Sequence, residues 1–325
     1  MRILIAGGAG FIGSRLAPAL SSLGHDVTVL DLLWFGNHLP QSIEVIQKDV
    51  FDIDDTWLSG FDRVIFLAGV SNDPMAEYSP QINYIYNAAA PAYLSYIAKK
   101  AGVKKFIYGS SCSVYGNRGD GLSVEEDKVI SVYPYGISKL QGEMAVMSII
   151  DEHFSVISLR QGTVCGASPR ARFDLVINTM YMKAMTEGAI TVDHPAIWRP
   201  VLAISDAVNA YIKAIEADDQ LSGIFNVSSF NTTVGELAKE VQKFVSKKYG
   251  KEIKINENRT KNFRNYRVST AKAEKVLGVK FTGTPLSILE EIDAQFGEGA
   301  DFNKDEYYNI RTFKKMIDIK KHLIN

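Results

Sequence analysis

The sequence is poor in metal ligands and in the residues that staple small exported proteins. It has two cysteines, Cys112 and Cys165, too few for a disulfide framework or a thiolate site. Its five histidines are scattered without ligand spacing, so no metal centre is expected. No apolar run approaches the ~20 residues that cross a bilayer. The first strand-like run starts at Arg2, which leaves no room for a signal peptide ahead of it. Neither sign of charge dominates. With 36 Lys and Arg against 37 Asp and Glu, the net charge of -1 gives no footprint for nucleic acid or an anionic membrane. Internal repeats and low-complexity stretches are also missing. What is left, 46% apolar and 22% charged residues over 325 positions, is a globular chain of one large or two smaller domains. The cytoplasm is the expected location.

The first 31 residues carry the strongest pattern. Arg2 to Ala6 is a short apolar run of strand formers that stops at a glycine. Gly7-Gly8-Ala9-Gly10-Phe11-Ile12-Gly13 follows, then Leu16, Leu20 and Leu23 at helical spacing, closed by Gly24. His25 to Leu30 is a second strand, ending at Asp31. Glycines at Gly7, Gly10 and Gly13 suit a tight turn, close approach of backbone N–H groups to a pyrophosphate, and close helix–strand packing. The helix N-terminus adds the positive end of a dipole. Asp31 lies where a carboxylate accepts hydrogen bonds from an adenosine ribose. No Lys or Arg occurs from Leu32 to Gln47, so nothing there would neutralise a 2′-phosphate, which points to NAD rather than NADP.

The βα alternation continues. Strands are expected at Ile43–Gln47, Asp62–Val70, Lys105–Tyr108 and Ser155–Arg160, with helices over Ile82–Lys100 and Pro134–Glu152. Asp49 and Val50 follow the third strand, where they can frame an adenine. This is an α/β pattern, a Rossmann-type doubly wound parallel sheet. Residues 1–168, joined by the return of 200–230, are expected to form the NAD-binding domain. A smaller C-terminal substrate-binding α/β domain would then comprise 169–199 and 231–325. Within it, Ser168 to Arg172 reads as a basic loop, Phe173 to Glu187 as a helix and Thr233 to Tyr249 as an amphipathic helix. Pro18 and Pro91 fall inside expected helices, where each predicts a kink. The polar, aromatic tail past Asp301 is expected to wrap the small domain or a partner subunit.

Tyr135-Gly136-Ile137-Ser138-Lys139 sets a phenol and an ammonium one turn apart on a helix face. A free phenol, with pKa near ~10, is a poor base at neutral pH. The ammonium and an oxidised nicotinamide would both favour the phenolate. The strand before it ends in Ser110 and Ser111, at the carboxyl edge where a parallel sheet holds its ligand.

Together these motifs resemble the extended short-chain dehydrogenases/reductases, the nucleotide-sugar epimerase/dehydratase family that includes UDP-galactose 4-epimerase. The resemblance runs from GGAGFIG at Gly7 through Asp31, Asp49-Val50, LAG at Leu67, Asn87, SSCSVYG at Ser110 and YGISK at Tyr135 to WRP at Trp198 and the Lys272–Gly278 stretch. It implies Tyr135 as base, Lys139 on the nicotinamide ribose and Ser111 orienting the sugar hydroxyl. Phe11 and Ile12 would lie at the pyrophosphate, Leu67, Ala68 and Gly69 on the adenosine side, and Asn87 as a supporting amide. Arg199 would hold the nucleotide diphosphate of a UDP-, GDP-, dTDP- or CDP-linked sugar, with Arg172, Asn178 and Arg264 as further substrate candidates. A homodimer is the expected assembly.

Three departures from the family pattern involve four residues. Cys112 and Ser113 replace the Asp and Glu of sugar 4,6-dehydratases, Thr163 replaces a substrate-binding Asn, and Ser71 replaces a cofactor-contacting Lys. The implied activity is oxidation of a sugar carbon, C4 first, followed in an epimerase by re-reduction on the other face. A 4-dehydrogenase or keto-sugar reductase would use the same residues. A dinucleotide-sensing protein without catalysis is the reading furthest from the motifs.

Overall fold

Near-continuous apolar strands are stable only where both faces of their sheet are covered. The computed structural model describes residues 1–258 and 264–324, with side chains as far as Ile317. In it β1 (Arg2–Ala6), β2 (Asp26–Asp31), β3 (Glu44–Gln47), β4 (Arg63–Phe66), β5 (Lys105–Ser111), β6 (Ser155–Gln161) and β7 (Gly223–Val227) form one sheet. Its order is β3-β2-β1-β4-β5-β6-β7, and every pair is parallel. The winding reverses between β1 and β4, so a crevice opens beyond their carboxyl ends. Helix α1 (Gly13–Ser22) packs on one face, where Leu16 and Leu20 meet Ile3, Ile5 and Val29. On the other face Leu94 and Val146 meet Leu4, Phe66 and Phe106.

Helix α2 (Asp73–Tyr78) leads into α3, made of three consecutive stretches: Pro80–Tyr84, a π turn at Ile85–Ala89, and Ala90–Lys100. The break expected at Pro91 is therefore a widened turn just ahead of it. Pro91 has no N–H for the carbonyl of Asn87. The Tyr108 hydroxyl donates to that carbonyl instead, at 3.1 Å. The Asn87 side chain accepts from the Val70 N–H at 3.0 Å and donates to the Val70 carbonyl at 2.9 Å. It also donates to Asn83 Oδ1 at 2.8 Å. The π turn thus pins the chain just past β4. Pro18, by contrast, lies inside α1, which is one unbroken helix. Helix α4 (Pro134–Met147) stops before the expected Glu152, because Asp151 accepts from the N–H groups of His153 and Phe154 and turns the chain.

The second half of the molecule has a three-stranded sheet of Thr163–Cys165, Trp198–Ala203 and Phe230–Thr233, and a two-stranded one of Ala189–Asp193 and Lys254–Asn258. Helices α5 (Val176–Glu187), α6 (Ile204–Glu216), α7 (Val234–Tyr249) and α8 (Pro285–Phe296) follow in chain order. Of these, α6 returns to the large sheet and α7 starts with a Thr233–Glu236 capping box. The tail past Asp301 packs on both halves of the chain. Phe302 and Tyr307 pack on Phe173 at ring separations of 4.9 and 5.6 Å. Helix α9 (Asn309–Ile324) then crosses to the first half, where Phe313 is fully buried among Val70, Met75 and Ala76 with Trp34 and Phe35 beside it.

Asn87→Ala should lower stability by about 2–4 kcal/mol, since it orphans several buried polar groups at once. Urea unfolding measures this, and a loss under ~1 kcal/mol would show that the turn holds itself.

Candidate active site

The crevice beyond β1 and β4 is a cleft of about 340 Å3. Gly7 has φ 81°, and a Cβ there would strike the backbone of Ala68, so the turns after β1 and β4 touch directly. Gly10 is different. Only the Gly7 carbonyl, at 3.2 Å, lies near its absent Cβ, which leaves the cleft side open to a ligand. Helix α1 then begins at Gly13 with no side-chain cap at Ile12, and Phe11, Ile12 and Gly13 line the cleft. Uncapped N–H groups and an open glycine form a cradle that fits a pyrophosphate.

A smaller recess of about 100 Å3 continues from it between Asp31, Asp49, Val50, Leu67, Ala68 and Gly69, under Trp34 and Tyr86. Asp31 accepts from the N–H of Ala9 at 3.0 Å and of Leu33 at 2.8 Å, and burial raises its pKa. The Tyr86 hydroxyl donates to Asp49 at 2.5 Å. Lys48 also lines this recess, one residue beyond the stretch of sequence free of cations. The residues fit an adenosine. Asn87 is not part of the wall. It is fully buried and acts through Val70.

At the centre of the cleft, β5 extends three residues past its expected end and delivers Ser110 and Ser111. The Ser111 hydroxyl accepts from the Ser113 N–H at 3.2 Å and lines the cleft with Tyr135, whose pKa it holds down against burial. The Ser110 hydroxyl is buried without a partner among the described residues. Pro134 starts α4, so Tyr135 and Lys139 sit on its first turns, facing the cleft. The Lys139 ammonium lies 4.9 Å from the Tyr108 ring centre. Burial pushes the Tyr135 phenol up to about 12, and burial also brings Lys139 down to about 8, Glu143 opposing. Lys139 alone therefore does not make a phenolate; a second positive charge in the cleft is required.

The substrate candidates divide. Arg172 lines the cleft and pairs with Asp174 at 2.8 Å. Arg264 also lines it, paired with Asp73 and stacked 4.5 Å from the Tyr133 ring. Arg199 does not. Its guanidinium donates to the carbonyls of Trp198 and Arg264, so it supports Arg264 from behind. Asn178 is likewise turned away, with its amide closing on both backbone groups of Gly166 at 3.2 and 2.7 Å. Short polar side chains of this kind serve the nearest free backbone, which motif spacing does not reveal. Thr163 and Ser113 line the cleft, whereas the Cys112 thiol donates to the Arg160 carbonyl at 3.1 Å and is pushed up by burial. Sequence reasoning missed Asn72, Asp73, Asp174, Gln161 and Asn309, which also form its walls.

A glycine cradle beside a Ser–Tyr–Lys set at the edge of a doubly wound sheet defines a dinucleotide-dependent enzyme acting at a carbon–oxygen bond. The chain belongs to the NAD-dependent epimerase/dehydratase family, whose model matches residues 3–228. Its cofactor is NAD. Among curated relatives, a UDP-glucose 4-epimerase of Oryza sativa subsp. japonica is 27% identical over 85% of this chain and 84% of its own length. A UDP-arabinose 4-epimerase of Arabidopsis thaliana is 27% identical over 78% of this chain and 68% of its own. The NAD complex of a Bacillus cereus UDP-glucuronic acid 4-epimerase superposes with TM-score 0.78 at 23% identity, covering 92% of this chain and 99% of that one.

Two outcomes follow. NAD(H) should bind at least tenfold tighter than NADP(H), a difference of ~1.4 kcal/mol, and Asp31→Ala should narrow that ratio by leaving Lys48 to meet a 2′-phosphate. Calorimetric titration giving wild-type selectivity in the variant would exclude Asp31 as the discriminator. The second concerns Lys139. Its folded pKa of about 8 lies below the unfolded value, so burying its charge destabilises the cofactor-free protein at pH 7. As pH rises from 8 toward 10, the unfolded chain alone keeps the proton and that cost fades. Lys139→Met should thus be more stable than wild type at pH 7, by a margin that shrinks toward pH 10; chemical unfolding at both pH values reads it.

Proposed function

We propose that the protein is an NAD-dependent nucleotide-sugar 4-epimerase acting on a UDP-sugar. The observation that carries this reading is that Ser111, Tyr135 and Lys139 line one cleft with the glycine cradle. NAD, held by the glycine cradle and Lys139, would supply the hydride acceptor. The chain's own residues supply the rest. Tyr135 takes the proton of the C4 hydroxyl, and Ser111 holds that oxygen in line. Lys139 places positive charge beside the phenol and binds the nicotinamide ribose. Ser110 and Gln161, whose Oε1 is also without a partner among the described residues, are free to bond the ring or the sugar. Arg172 and Arg264 offer guanidinium forks to the diphosphate or to sugar oxygens, once released from Asp174 and Asp73. The residues from 169 to 199 and from 231 onward act as the substrate-binding half, consistent with where these arginines sit. The UDP assignment is supported by the named relatives, all acting on UDP-sugars.

The cleft does not suit dehydration. Among the described residues, its carboxylates are Asp73 and Asp174, and both are paired with arginine. Ser113 stands in the cleft without an acid beside it, and Cys112 points elsewhere. The same residues would serve a 4-dehydrogenase if a reduced cofactor were exchanged. We place the enzyme in the cytoplasm, in keeping with the lack of any helix, among the described residues, long and apolar enough to cross a membrane. A homodimer through α3 and α4 is supported by Tyr96 and Met144, 57% and 64% exposed on those helices.

Incubation with a panel of UDP-, GDP-, dTDP- and CDP-sugars should yield a C4 epimer of unchanged mass from a UDP-sugar. Tyr135→Phe should lower turnover by roughly 10³-fold or more while cofactor stays bound. Accumulation of a product lighter by one water would overturn the assignment.

A further inference from the structure

The basic loop Ser168–Arg172 holds the most deeply buried cation of the cleft, and the chemistry above leaves it unused. Arg170 is 2% exposed and lines the cleft together with Gly10, Phe11, Ile12 and Phe35. Its guanidinium lies 4.0 Å from the Phe35 ring centre. Nη1 donates to the Ala171 carbonyl at 3.2 Å, and Nη2 donates to Asn309 Oδ1. Nε has no partner among the described residues. None of its bonds goes to a carboxylate. Burial and the nearby Arg172 lower its pKa to about 9, against opposing fields from Asp174, Asp31 and Glu306. A guanidinium buried this way is a standing cost that a bound anion would relieve.

The loop is also tied to the glycine turn. Ser168 Oγ donates to the Phe11 carbonyl at 2.7 Å and lies 2.8 Å from Ser14 Oγ, and Arg15 donates to the Ala167 carbonyl at 3.1 Å. Arg170 therefore enters the cleft two residues from a point fixed against the N-terminus of α1. That N-terminus offers neutral backbone donors, and Arg15, the nearby cation on α1, is engaged with Glu291. We propose that Arg170 holds the diphosphate of the dinucleotide from the substrate-binding half, opposite the helix, and that Asn309 of the tail is its positioning residue. The fork of Arg170 meets phosphate oxygens while Phe35 and Asn309 fix its plane. Asn309 Nδ2 donates to Ser71 Oγ at 2.6 Å, so the small residue at position 71 is what admits the tail here. The inference rests on the cofactor being NAD, which the wild-type measurement checks separately.

The test is displacement of NADH fluorescence from full-length protein by adenosine, AMP, ADP-ribose and NAD. Arg170→Met should weaken ADP-ribose and NAD by 10- to 100-fold and leave adenosine within about twofold. Arg170→Lys should recover part of that loss, and Asn309→Ala should weaken ADP-ribose by a smaller factor. Loss of adenosine and ADP-ribose in equal measure would mean that Arg170 merely balances Asp31, and no loss would remove it from the site. Should Arg170→Met fail to fold, the Lys and Asn309 variants decide on the same ratio. Wild-type protein that binds no NADH would instead overturn the cofactor itself.

Discussion

Pro91 cannot donate a hydrogen bond, and the cleft depends on how the fold absorbs that one missing donor. The helix widens into a π turn, the freed Asn87 carbonyl takes the Tyr108 hydroxyl, and the Asn87 amide reaches Val70. Val70 begins the loop whose next three residues each bind a separate segment. Ser71 bonds Asn309, Asn72 donates to Asp174 at 2.9 Å, and Asp73 pairs with Arg264. That turn thus sets where three later segments of the chain can sit. Gly69, with φ 141°, lies under the Asn87 side-chain oxygen, so the loop has no room for a larger residue there.

The charges of the cleft are arranged for exchange. Arg172 and Arg264 are neutralised by aspartates that line the same cleft, and these pairs can open toward an anionic ligand without leaving a cation bare. Burial keeps the Tyr135 phenol neutral, and it lowers the Lys139 pKa to about 8 without removing its charge at pH 7. On the proposed function, positive charge beyond that of Lys139 is needed to make Tyr135 a base, and NAD would bring it.

Much of this was legible in the sequence because it is local. The strand, glycine turn and helix from Arg2 to Ser22, the acid at Asp31, and Tyr135 with Lys139 one turn on are written in periods and spacings of a few residues. What was hidden depends on distant partners. Arg199 and Asn178 have the right chemistry for a substrate site, yet the nearest unsatisfied backbone lies elsewhere and claims them. Asp73, Asp174 and Asn309 carry no motif at all; they enter the cleft because the Asn87 turn and the tail bring them there. The kink at Pro91 was legible as an event, and its form as a π turn was not, since it requires knowing that Tyr108 stands opposite.

The family model ends at residue 228, and Phe313 is buried against the first half of the molecule. This gives the cofactor cleft a place in time. During synthesis the first six strands can pair once residue 161 has emerged, but β7 arrives some sixty residues later. The wall made by Asn309 and the plug made by Phe313 come last of all, so a nascent chain can fold most of its sheet and still hold an open cleft. Maturation of the binding site is completed from the opposite end of the chain from the motif that begins it.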